Sequence, residues 1–356
     1  MAIKIRDIEI RPFNIPLKES FNIALGSSDV SENVLVRIIL DNGIIGYGEG
    51  ADSSYITGDT QGSMLASLNF LKPGLVGRDI KSWKQLILEA KKSLSFNPAV
   101  FWALETALLD AYTQVLGIPL YEFLGGAKTE IETDITISIT SPERARELAK
   151  EGREKGFNHF KIKVGKNLEE DLNRVRAVAE TVPESWLRID ANQGYRPKQA
   201  VNFIKQLWQE GLRITLFEQP VHLADVEGLK YVREYSPVPV AADETVFTAR
   251  HALQVVKEQA VDIINIKLAK SGGILEALDI IAIARNAGVE LMLGCMLESN
   301  VGLAPSVHLA CGTGAFSYLD LDAHLLLAKL PLAGGFNTRG PILSVADIQA
   351  GIGIKG

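Results

Sequence analysis

Three acids, Asp190, Glu218 and Asp243, stand 28 and 25 residues apart, each at the end of a short apolar run: Arg188-Ile-Asp190-Ala-Asn192, Phe217-Glu218-Gln-Pro220 and Ala242-Asp243-Glu244. Charged groups are rarely buried unless they are paired or bound to a metal. Three ionised carboxylates within a few ångströms would repel strongly, and a divalent cation removes that conflict. Oxygen donors without His or Cys select a hard ion, and open positions for substrate oxygens suit Mg2+ better than a full Ca2+ cage. The plainer alternative is that each acid pairs with a neighbouring Arg or Lys. Lysines end similar runs: Lys161 and Lys163, two apart, and Lys267 in Asn265-Ile-Lys267. Burial and nearby cations lower a lysine's pKa enough to make it a base. With a cation on a substrate carboxylate, the neighbouring carbon acid can lose its proton to one lysine and regain one from the other. The plainer alternative here is that the lysines are counter-ions to the acids.

These residues need strands to bring them together. Short apolar runs at 132–139, 159–164, 186–191, 214–219, 238–243, 261–268, 289–296 and 315–321 alternate with amphipathic helical stretches. Eight such strands make a parallel sheet that can close into a (β/α)8 barrel, whose active site lies at the strands' C-terminal ends. An open doubly wound sheet is the competitor, but its glycine-rich dinucleotide fingerprint is missing. Lys161 and Lys163 share one face of the second strand. The second and sixth strands are four apart in a ring of eight, so Lys163 and Lys267 are expected to face each other. Before the barrel, residues 1–50 alternate at period two, with Asp41-Asn42-Gly43 as a hairpin signal. Residues 61 to about 125 follow a helical period.

Composition removes other classes. With 37 Lys+Arg against 43 Asp+Glu, the net charge of −6 offers no basic footprint for nucleic acid. No apolar run reaches the length of a membrane span, and the alternating N-terminus does not read as a signal peptide. Cys295 and Cys311 form no CxxC pair. That fits a reducing cytoplasm and argues against a thiolate zinc site.

The motifs quoted so far resemble those of the enolase superfamily, in its muconate-lactonising-enzyme-like subgroup, and within it the dipeptide epimerases. The likeness spans essentially all 356 residues. It also includes Gly294-Cys-Met-Leu-Glu298-Ser299 and, on the last strand, Asp320-Leu-Asp322. The resemblance implies an α/β fold: a modified TIM barrel, (β/α)7β, at 127–330, an α+β capping domain at 1–126, and a tail at 331–356 that completes the cap. It implies one Mg2+ per subunit on Asp190, Glu218 and Asp243, with Lys163 and Lys267 as the acid/base pair. Lys161 would assist at the substrate carboxylate, and Glu298 would be a further substrate contact. Asp320 and Asp322 would hold a dipeptide's free α-amino group, since a cationic amine needs a carboxylate partner. The implied reaction inverts the α-carbon of the dipeptide's C-terminal residue by two-base 1,1-proton transfer through an enediolate. A homo-oligomer is implied as well.

In such a family two capping loops choose the substrate, and they match residues 19–33 and 51–60. Neither contains a base, and Gly26 stands where an Arg would serve an Ala-Glu epimerase. A hydrophobic or small C-terminal residue is therefore at least as consistent as an acidic one, and Asp29, Asp52 and Asp59 leave a cationic one open. Rival readings remain. A Schiff-base aldolase could use Lys267, but it has no need of three carboxylates. Another lyase or isomerase of the superfamily, a cycloisomerase or o-succinylbenzoate synthase, would not need Asp320-Leu-Asp322. A dehydratase would want a His-Asp pair, and His308 and His324 do not fall on a strand. A non-catalytic protein on the same fold would tolerate loss of both lysines. Met292 and Met296 read as core, and Ser271-Gly272-Gly273 is too short to argue for a phosphate site.

Overall fold

A computed structural model describes residues 2–356. The chain opens with an antiparallel meander of β1 (Ile5–Asn22), β2 (Ser27–Leu40) and β3 (Ile45–Gly50). The β2–β3 turn falls at Asp41-Asn42-Gly43, where Gly43 takes φ +89°, a conformation other residues resist. Four helices follow: α1 (Gln61–Leu71), α2 (Trp83–Ser93), α3 (Pro98–Leu116) and α4 (Leu120–Phe123). In α3, Ala99, Ala103, Ala107 and Ala111 recur every four residues and so share one face. That face lies directly on β3, where a Cβ added at Gly46 or Gly48 would be 2.2 Å from the Ala107 carbonyl or 2.0 Å from that of Ala103. Small residues on both elements allow this approach. The opposite face of β3 is thereby left to carry Tyr47 and Glu49.

After β4 (Glu130–Glu132) come the eight parallel strands. They are β5 (Ile135–Ile137), β6 (His159–Lys163), β7 (Trp186–Asp190), β8 (Ile214–Glu218), β9 (Val240–Ala242), β10 (Ile263–Ile266), β11 (Glu290–Leu293) and β12 (Tyr318–Leu319). Each neighbours the next in chain order. The helices between them are α5 (Pro142–Glu154), α6 (Leu168–Thr181), α7 (Pro197–Gln209), α8 (Val226–Tyr235), α9 (Ala249–Lys257), the short α10 (Leu268–Ser271), α11 (Ile274–Ala287) and α12 (Asn300–Thr313); α13 (Ala323–Leu326) follows β12. Proline starts α5 and α7, where its missing N–H has no helical partner to lose. The ring closes between β12 and β5 through side chains as well as backbone. Asp134 N–H donates to the Leu319 carbonyl at 3.3 Å, Leu321 N–H to Thr133 Oγ1 at 2.7 Å, and Thr136 N–H to Asp322 Oδ2 at 2.6 Å. Met292 fills the barrel interior with Leu216, Ala241 and Ile263. This is the (β/α)7β architecture, a TIM-barrel variant.

The last segment forms β13 (Ala333–Gly334), β14 (Asn337–Arg339), β15 (Ile342–Ser344) and β16 (Ile354–Lys355), with β15 pairing antiparallel to β4. It then reaches the N-terminal unit, where Ile352 N–H donates to Asp110 Oδ1 on α3 at 2.8 Å. Two carboxylates of that unit meet barrel helices at their N-termini, where amide N–H groups lack helical partners. Glu105 of α3 accepts the Leu275 N–H of α11 at 2.9 Å. Glu49 of β3 accepts Ser299 N–H at 3.1 Å and Gly302 N–H at 2.9 Å, at the start of α12. Glu105 also accounts for Ser271-Gly272-Gly273: a Cβ at Gly273 would come within 2.5 Å of its carboxyl oxygen, so that helix start is already occupied by this side chain.

Candidate active site

Strand register sets the first layer of the site. Lys163 is the Cα partner of Asp190, and Asp190 of Glu218, so three of the expected residues lie side by side on β6, β7 and β8. Asp243 follows β9 directly, held by its N–H to Gln219 Oε1 at 2.9 Å. Lys267 follows β10 and precedes α10. All five are buried.

Asp190, Glu218 and Asp243 bring ligand oxygens within 4.8 Å of one another. Glu218 Oε2 and Asp243 Oδ1 accept no hydrogen bond of good geometry and are met only by lysine charge. Lys161 Nζ lies 3.0 Å from Asp190, 2.8 Å from Glu218 and 2.6 Å from Asp320. Lys163 pairs with Asp190 at 2.6 Å and Lys267 with Asp243 at 2.8 Å. Buried, all-oxygen and rich in unshared lone pairs, the three acids fit a hard divalent cation.

The charges shape one another's protonation. Burial pushes Asp190 upward, but the Lys161 and Lys163 ammonium groups outweigh it and hold the carboxyl low, at about 2. Asp243 is likewise held well below the usual carboxylate range, against burial, chiefly by Lys267 and Lys270. Burial and the charge of Asp190 push Glu218 up to about 7. Lys267, against the downward pull of burial, keeps its proton more tightly than usual because of Asp243. In this state both lysines are counter-ions.

Above these groups lies a cavity of about 280 Å3 whose lining includes Lys163, Lys267, Asn192, Asp320 and Asp322. Its other wall comes from both loops expected to choose the substrate, including Phe21, Ile23, Glu32, Asp52, Tyr55 and Ile56. Tyr55 lies over Gly26, 3.1 Å from where a Cβ there would stand. Met296 also lines the cavity, whereas Met292 is core; the methionine spacing therefore serves two purposes. Glu298 does not line it. Its Oε1 accepts the Met296 N–H at 2.7 Å, and burial pushes its carboxyl up to about 8. Asp320 and Asp322 sit at the β12 end, and burial together with the charge of Asp320 pushes Asp322 up to about 6.

Two participants escape a scan of strand ends. Lys270 is buried, 2.5 Å from Asp243 Oδ1, and donates to the carbonyls of Asp243, Val246 and Asn265. Its signal is the three-residue step from Lys267, which sets both on one face of a helical turn. Asp134, just before β5, pairs with Arg188 at 2.7 Å, and its carboxylate groups with those of Asp320 and Asp322. The only hint of it is an acid inside the first apolar run.

The chain matches the family described as mandelate racemase/muconate lactonizing enzyme, N-terminal domain, over residues 5–125, and enolase C-terminal domain-like over residues 144–355. It is 42% identical to the L-Ala-D/L-Glu epimerase of Thermotoga maritima, over 93% of this chain and 95% of that one. The substrate-liganded L-Ala-D/L-Glu epimerase of Bacillus subtilis superposes with a TM-score of 0.96, at 38% identity and 99% coverage of each chain. The dipeptide epimerase of Enterococcus faecalis, complexed with Mg and L-Leu-L-Tyr, gives 0.95, at 39% identity and 100% of each. In sequence and in fold, the chain belongs to the mandelate racemase/muconate lactonizing enzyme family of the enolase superfamily.

Proposed function

We propose that the chain is a dipeptide epimerase, an isomerase that inverts the α-carbon of the C-terminal residue, with Lys163 and Lys267 as its two acid/base groups. One observation carries the reading: both lysines are buried, both line the cavity, and each pairs with a different acid of the triad. They come from strands four apart in the ring, which supports setting the substrate between them. The dipeptides in the names of its relatives support the substrate class.

On one side of the α-carbon, a neutral lysine amine accepts the proton. On the other, the opposite lysine's ammonium delivers one, and the centre inverts. Negative charge moves onto the substrate's carboxylate oxygens, and the Lys161 ammonium, held below the cavity among Asp190, Glu218 and Asp320, would help to offset it. Asp190, Glu218 and Asp243 are the residues that would hold Mg2+, which when bound acidifies the adjacent C–H and draws the acids' charge away from the lysines. Asp320 and Asp322 take the substrate's α-ammonium, with Asp134 behind them. Glu298 holds the Met296 amide and so supports the loop that borders the cavity. We place the enzyme in the cytoplasm, where its two free thiols, Cys295 and Cys311, stay reduced.

The test is a dipeptide panel in D2O, read by mass for solvent deuterium at the α-carbon. Lys163→Ala and Lys267→Ala should each lose epimerisation by about 10^3-fold. Each should keep exchange with only one stereoisomer, and the two variants with opposite ones. If both variants exchange the same stereoisomer, the two-base assignment fails.

A further inference from the structure

Selection among dipeptides falls to the cap side of the cavity, and that side has an uneven composition. Twelve cap residues line it; five are serines and two, Glu32 and Asp52, are acids. A wall built for an apolar side chain would be predominantly apolar. Among the described residues, the only lysines or arginines lining the cavity are Lys163 and Lys267, each already facing an acid. Glu32 is near enough that its charge adds to burial in pushing the Asp52 carboxyl upward. Two acids therefore lie on the cap side of the cavity with no lysine or arginine lining it there; Asp52 also accepts the Gln61 N–H at 3.3 Å. Phe21 and Tyr55 are ring types whose faces attract cations.

We propose that the cavity selects dipeptides whose C-terminal residue is cationic, lysine or arginine, with Glu32 and Asp52 as specificity-determining residues. The proposal rests on the epimerase reading. The methylene stem of such a side chain fits against Ile23, Ile56 and Met296, and its head group reaches the two carboxylates. A glutamate in the same place would bring a third acid beside two others.

The experiment compares kcat/KM for L-Ala-L-Lys, L-Ala-L-Met and L-Ala-L-Glu by deuterium uptake. Methionine is unbranched like lysine, one atom shorter, and carries no charge. L-Ala-L-Lys should exceed L-Ala-L-Met about ten-fold, the scale of one charge-assisted contact, with L-Ala-L-Glu lowest. In Glu32→Gln the Lys-to-Met ratio should fall about ten-fold, mainly through KM. Because Glu32 is exposed on β2, the substitution leaves the core untouched. L-Ala-L-Met equal to or better than L-Ala-L-Lys in the native enzyme, or a ratio unmoved by Glu32→Gln, overturns the proposal. No exchange with any of the three overturns the epimerase reading, and the proposal with it.

Discussion

Asp322 accepts the Thr136 amide at 2.6 Å while lining the cavity, so one carboxylate both closes the barrel and faces the cavity. Its neighbour Asp320 is tied to Lys161 at 2.6 Å. A substrate ammonium bound here would favour the ionised form of Asp322, which burial and Asp320 otherwise oppose. Asp322→Asn should therefore reduce kcat/KM for dipeptides with a free amine about 10- to 100-fold, the worth of a charge-assisted hydrogen bond. An N-acetylated dipeptide, having no ammonium, should show no comparable loss; equal losses on both would remove Asp322 from amine recognition. At this scale the sequence was legible wherever a charged residue ended an apolar run, as at Asp190, Glu218 and Lys163. Lys270 lies two residues beyond its run, and Asp134 sits inside another. Neither position announces a partner, because each finds one only through tertiary packing.

Apolar runs located all eight barrel strands, although β9 and β12 keep only three and two ladder residues. Their pairing stops where the chain turns to present Asp243 and Asp320. The run at 261–268 likewise ends in α10, since its last residue already begins a helix. Period and turn chemistry are local, and so could be read; where a ladder stops depends on the neighbouring strand. The contact of α3 with β3 is a third case, with glycines and alanines at strand and helix spacing. Its tightness makes a clear prediction. Gly48→Ala places a methyl where only 2.0 Å separates it from the Ala103 carbonyl, and should destabilise the protein by about 3 kcal/mol. Chemical denaturation measures this, and a loss below about 0.5 kcal/mol would mean that helix and strand part easily.

Across the molecule, buried carboxylates join the N-terminal unit to the barrel, and these joints link stability to pH. Burial pushes Glu105 up to about 7 and raises Glu49 as well. A carboxyl that holds its proton more tightly folded than unfolded favours folding at low pH, and the benefit is lost as pH rises from about 4.5 through about 7. Glu105→Gln removes that dependence, so its stability relative to the native protein should rise by about 2 kcal/mol between pH 5 and pH 8. Thermal unfolding of both at each pH is the check, and parallel curves would contradict it. How the last 26 residues reach α3 could not be read, because that docking depends on Asp110 of α3, which the sequence does not single out. The two carboxylates seated in barrel helices have a further consequence for traffic. Swinging the whole lid aside would strip both of their amide partners at once, so the doorway must open at its threshold, by bending the stretches around residues 19–33 and 51–60 while the rest stays bolted down.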